Sequence, residues 1–223
     1  MTRKEYELKL KEGLLSLALL FAPISAAAAS SLEAVITAAI QAEKKGNHEE
    51  ALRLFTEAAN QGDAKAMTSV GLMHQAGRGT RADACAALEW FKKAMLANDT
   101  DALNNIGVMF RDGECVTRNR KVAYLTFLFI HMNMLGSEST QMRSNRNLRR
   151  EMAELKTKEI EEALCYTFPY YRAMLMSGGK STEVPEQFLP TDQNPSFKDA
   201  RWWSREERES MKFSCPAPWG AGT

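Results

Sequence analysis

Residues 66–94 read AMTSVGLMHQAGRGTRADACAALEWFKKA, and this stretch decides the fold. Ala66, Val70 and Gly71 put small and apolar side chains one helical turn apart, with His74 a turn further on. Gly71 inside that pattern costs about 1 kcal/mol of helix propensity, a cost that close approach of a second helix explains. Gly77 then offers the left-handed residue at which a helix ends. Ala86, Ala87, Trp90, Phe91 and Ala94 follow in an i, i+1, i+4, i+5, i+8 stripe, the buried face of a second helix. The unit is a helical hairpin.

The flanking sequence repeats this unit with a period of 36. Ala66, Val70, Gly71, His74 and Gly77 recur as Ala102, Ile106, Gly107, Phe110 and Gly113. Ala51, Leu52 and Phe55 recur as Ala87, Leu88 and Phe91, and again as Ala123, Tyr124 and Phe127. Asp63 recurs as Asp99 between units. Hairpins of this length cannot bury their apolar faces alone, so they stack on their neighbours. The pattern resembles the Sel-one-like repeat (SLR) family, relatives of the tetratricopeptide repeats. Gly77, Gly79, Asp83, Ala87, Leu88, Trp90 and Phe91 carry the likeness in the fullest copy. The next copy departs from it at Cys115, Asn119 and Thr126. The first copy is a half-match from Gly46 to Asp63, with a turn about five residues shorter. The resemblance covers about residues 32 to 136. It implies an all-α fold, a right-handed α/α superhelical solenoid of about three repeats. It also implies an adaptor or interaction module rather than an enzyme, with no cofactor.

Past the third copy the pattern stops. Residues 122–136 (VAYLTFLFIHMNMLG) are apolar on nearly every face and must be covered on both sides. Fifteen residues fall short of the ~20 that a membrane span needs. Leu148, Met152, Leu155, Ala163 and Leu164 predict one long amphipathic helix over about 138–167, capping the solenoid. The expected organisation is a leader over 1–29, repeats over 30–136, a cap over 137–178 and an irregular tail over 179–223. Five prolines break that tail, which holds one helical candidate near 197–212. There Trp202 and Trp203 are expected to cover the last helix.

Residues 1–29 read as an export signal. Arg3, Lys4, Lys9 and Lys11 form a basic start, Leu14 to Ile24 an apolar run, and Ser25 to Ala29 offer small-residue cleavage frames. An uncleaved anchor or a plain amphipathic helix is the alternative. The whole chain carries 29 basic and 28 acidic side chains, a balance that argues against nucleic acid as the partner. Removing the leader leaves a neutral protein. Its four cysteines, Cys85, Cys115, Cys165 and Cys215, suit two disulfides in a periplasmic or secreted protein without stable membrane insertion. Of the three possible connectivities, stacking of neighbouring repeats favours Cys85 with Cys115 and Cys165 with Cys215. None has C-x-x-C spacing, and the three histidines are scattered, so no metal site is expected.

Chemistry is sparse. Ser177-Gly-Gly-Lys180 matches the S-x-x-K pattern of penicillin-recognising enzymes, but it lies in a glycine loop without the companion motifs. A weak hydrolase acting on β-lactams or peptidoglycan stays open as an alternative, since the resemblance includes exported cysteine-rich members that bind penicillin weakly. His74 and His131 read as packing residues and His48 as a solvated one. Arg143, Arg146, Arg149 and Arg150 form a basic cluster that suits phosphate or an acidic partner. The plainer reading pairs Arg150, Glu154, Lys158 and Glu162 along a solvated helix face. If first helices line the concave face, the positions left to meet a partner are Thr68 with Asn104, Leu72 with Val108, and Gln75 with Arg111. That stripe suits a peptide or a protein helix. Binding through the C-terminal tail is the third reading.

Overall fold

The computed structural model describes residues 31–166 together with Tyr171, Leu175 and Glu206. The leader, the Ser177–Lys180 tetrapeptide, Trp202, Trp203 and Cys215 lie outside the described residues. Among the described residues the chain is helical throughout, without a strand. The helices are α1 (31–44), α2 (His48–Asn60), α3 (Ala64–Ala76), α4 (Ala84–Leu96), α5 (Thr100–Asp112), α6 (Arg120–Met132), α7 (Glu138–Glu154) and α8 (Thr157–Leu164).

The period of 36 is kept to the residue. Helices α2, α4 and α6 begin at His48, Ala84 and Arg120, and α3 and α5 at Ala64 and Thr100. Punctuation is the reason. Asp63 accepts from the Ala66 amide, Asp83 from the Cys85 and Ala86 amides, and Asp99 from the Asp101 amide, satisfying donors that a helix start leaves free. Gly77 (φ 68°) and Gly113 (φ 80°) take the left-handed conformation that ends α3 and α5. Between these stops the apolar stripes stack. Val70, Phe91, Ile106, Phe110 and Phe127 are fully buried, and a Cβ on Gly71 or Gly107 would press into the rings of Phe91 or Phe127. Close helix approach is thus why both glycines sit mid-helix. Helix α6 lies against α5, α7 and α8, which is how Val122 to Leu128 are buried without interruption. All-α stacking of these hairpins makes a solenoid.

The cap differs from the single helix expected over 138–167. Arg149 stands 36 residues after Gly113, and without a residue suited to the left-handed conformation α7 runs on to Glu154. Leu155 then turns extended (ψ 140°) with its side chain buried, and α8 starts afresh. Met152, expected inside, is 53% exposed, while Leu148, Leu155, Ala163 and Leu164 are buried. The break also separates Lys158 and Glu162 from Arg150 and Glu154, which were expected to pair along one helix. Glu154 binds Arg120 and Glu162 binds Lys121, both on α6.

Gly79 (φ 72°) shows how two repeats are joined. A Cβ there would strike the backbone carbonyl of His48, the first residue of α2. Gly79→Ala is expected to cost about 2 kcal/mol, combining left-handed strain with a backbone shift. Urea unfolding checks it, and an unchanged midpoint would remove the close approach from the account.

Candidate functional site

Helix α5 packs against α7, and the structure divides the six groove positions into three pairs. Thr68 and Asn104 do not face a groove: they are 6% and 3% exposed. Thr68 donates its hydroxyl to Asp99 at 2.5 Å, and the Asn104 carbonyl accepts from Asn147 at 3.4 Å. A polar side chain at these positions serves the joint between repeats, because burial without a partner would cost 1–3 kcal/mol. Thr140, another 36 residues on, is buried too and donates to Asp101 at 2.6 Å. That third member of the series was readable in the sequence.

Gln75 and Arg111 are pinned. Gln75 donates to Glu114 at 2.6 Å. Arg111 holds both carboxylate oxygens of Asp112 (2.8 and 2.6 Å) and reaches Asn147 at 3.2 Å. The Arg111 hydrogen bonds hold the Asp112 carboxyl below its ordinary value against the opposing effect of burial, with help from the nearby charges of Arg150 and Arg118. Leu72 and Val108 remain. Leu72 is 36% exposed, an apolar side chain open to solvent in mid-helix, and Val108 is half-buried one repeat away.

Cys85 and Cys115 form a disulfide with their Cα atoms 5.0 Å apart. Cys115 sits 36 residues after Gly79 and keeps its positive φ (56°). Cys85 lies in the first turn of α4 as His48 lies in that of α2, so the joint made by backbone approach in one repeat is covalent in the next. Cys165 is also disulfide-bonded; Cys215, its expected partner, lies outside the described residues.

The histidines separate. His74 is half-buried, whereas His131 is exposed rather than packed. His48 is half-buried and bonded to Glu43 at 3.1 Å, while Arg78 takes the other oxygen of the same carboxylate. An ion cluster went unread in the sequence. Glu151 on α7 is fully buried and accepts from Arg120 at 2.8 Å, leaving its Oε1 without a partner. These residues lie 31 apart, so no local spacing announces them. An apolar cavity of about 450 Å³ also went unread. It opens where α4 ends and α5 begins, with Met95, Leu96, Leu103, Phe129, Leu135 and Tyr171 among its walls. Among the described residues no group of His, Cys, Asp and Glu could hold a metal ion. No described helix is long and apolar enough to cross a membrane.

Hairpins repeated at a fixed interval, each packed on the next, define a helical-repeat scaffold. Residues 41–63, 64–99 and 100–125 match the model of the Sel1 repeat. Repeats of this family generally mediate protein–protein interaction and typically form non-catalytic scaffolds. Among solved structures, the chain is similar to c5321, a protective antigen of uropathogenic Escherichia coli with an SLR fold. Identity is 19% with a TM-score of 0.53, over 66% of this chain and 30% of that one. A Sel1 repeat protein from Oxalobacter formigenes aligns at 25% identity and a TM-score of 0.35, over 48% of this chain and 37% of that one. No curated protein matches the chain.

Proposed function

We propose that this protein is an exported interaction module that holds an extended peptide or a helix of a partner protein against α3 and α5. The observation that carries the reading is Leu72, exposed in mid-helix and followed by Val108 at the same place in the next repeat. Around this pair, Gln75 and Arg111 are fixed by their own partners, giving a rigid polar rim beside an apolar centre. Such a surface needs little ordering when a partner arrives. The disulfide between Cys85 and Cys115 supports an oxidising compartment, the periplasm or the outside of the cell.

Crosslinking and pulldown from the exported fraction identifies the partner. Leu72→Glu with Val108→Glu is then expected to weaken it by more than 1 kcal/mol, because two central contacts become desolvated charges. Helical circular dichroism should stay the same. Unaltered affinity in the folded double variant would move the site off this face, to the tail or elsewhere.

A further inference from the structure

We propose that the outward face of α7 is a second docking site, one that takes an acidic amphipathic helix from a partner protein. The shape of the site comes from the repeat itself. In α3 and α5 the face bearing Val70 and Gly71, or Ile106 and Gly107, receives the second helix of the same hairpin, with Gly71 against Phe91 and Gly107 against Phe127. Val70 and Ile106 are consequently fully buried. The equivalent positions of α7, each 36 residues on, are Met142 and Arg143. Among the described residues no second helix arrives here, because α8 packs on α6 instead. Met142 is left 57% exposed. A seat that accommodates a helix in two repeats stands open in the third.

Its chemistry has changed to suit a different occupant. Arg143 fills the place of the close-packing glycine, and Arg146 the place of Phe110. Arg143 is bound to Asp101. Among the described residues, Arg146, Arg149 and Arg150 are exposed and make no ion pair. Carboxylates on α7 and beside it are already engaged: Glu151 and Glu154 by Arg120, Glu162 by Lys121, Asp112 by Arg111. Three guanidinium groups spaced i, i+3 and i+4 match carboxylates at the same spacing on a facing helix, and each is suited to bidentate contact. Met142 and Met152, near the two ends, are adaptable apolar contacts for the flanking residues of that helix.

Two other polyanions fit less well. A lipid surface calls for a continuous Leu, Phe or Trp face beneath the charges, and this one offers only two methionines on opposite flanks. Three exposed arginines on a chain of net charge +1 give little of the phosphate neutralisation that nucleic-acid binding needs.

The test uses the full mature chain and a labelled 14-residue helical peptide with glutamates at i, i+3 and i+4 and leucines at both ends. A control peptide has glutamine at those three places. The acidic probe should bind at least tenfold more tightly, with the difference shrinking between 20 and 150 mM salt. Arg146→Glu with Arg149→Glu should abolish that preference, and since both side chains are exposed the helical signal should not change. Leu72→Glu with Val108→Glu should leave probe binding intact, which separates this site from the groove. Equal binding of the two peptides overturns the proposal. So does preferential binding to anionic vesicles or heparin, or a dimer in solution that dissociates on the arginine substitutions, which would make a second copy the occupant.

Discussion

Arg120→Met should destabilise the protein by about 3–5 kcal/mol, because it strands a fully buried carboxylate. Glu151 lies on α7 with no exposed surface and has one hydrogen-bonded oxygen, the one held by Arg120 at 2.8 Å. Taking a charge out of water costs several kcal/mol, and the partner's attraction is what offsets that cost. At about 2–4 °C per kcal/mol for a chain of this size, melting should fall by roughly 10 °C. The companion variant decides the cause. Arg120→Met with Glu151→Met removes both charges and fills the space with apolar atoms, so most of the lost stability should return. If the double variant is as unstable as the single one, packing around Arg120 is responsible and the ion pair is not.

Removing the disulfide is the second large effect. Replacing Cys85 and Cys115 together with alanine should cost about 3–4 kcal/mol, the loop-closure entropy for residues 30 apart. Cys115 adds a detail that separates two causes. It holds φ at 56°, where a side chain is strained and glycine is at ease. Cys85→Ala with Cys115→Gly should therefore be about 1 kcal/mol more stable than the double alanine variant. Chemical unfolding of the three proteins measures both quantities. Equal stability of the two double variants would mean that the turn at 115 relaxes once the bond is gone.

The repeats were legible in the sequence because their determinants are local. Gly77, Gly113, Asp63, Asp83 and Asp99 act within one turn of their own positions, and they locate the helix ends to the residue. The pairing of Cys85 with Cys115 was readable for a related reason: once the period is known, positions in adjacent repeats superpose. What could not be read depends on contacts between units. Thr68 and Asn104 look like surface residues until Asp99 and Asn147 are brought beside them. Glu154 looks like a member of a solvated stripe, and Glu151 like nothing in particular, until Arg120 arrives from α6. The break after α7 turns on the absence of a glycine at Arg149, which extends one helix and displaces the next. Of the proposed groove, Leu72 is exposed, whereas Val108 is half-buried and packs against the core, a contact the repeat spacing alone does not reveal.

The covalent joint between repeats also bears on tension. An array whose units touch only their neighbours can yield unit by unit when it is pulled. The bond between Cys85 and Cys115 closes a span of 30 residues that stays folded back on itself even after every helix has melted. At about 3.3–3.6 Å per extended residue, that span withholds roughly 100 Å of contour length. Reduction would release it. A protein held at both ends across a gap would then lengthen at constant load, and the same bond that stiffens the fold would set how far it can stretch.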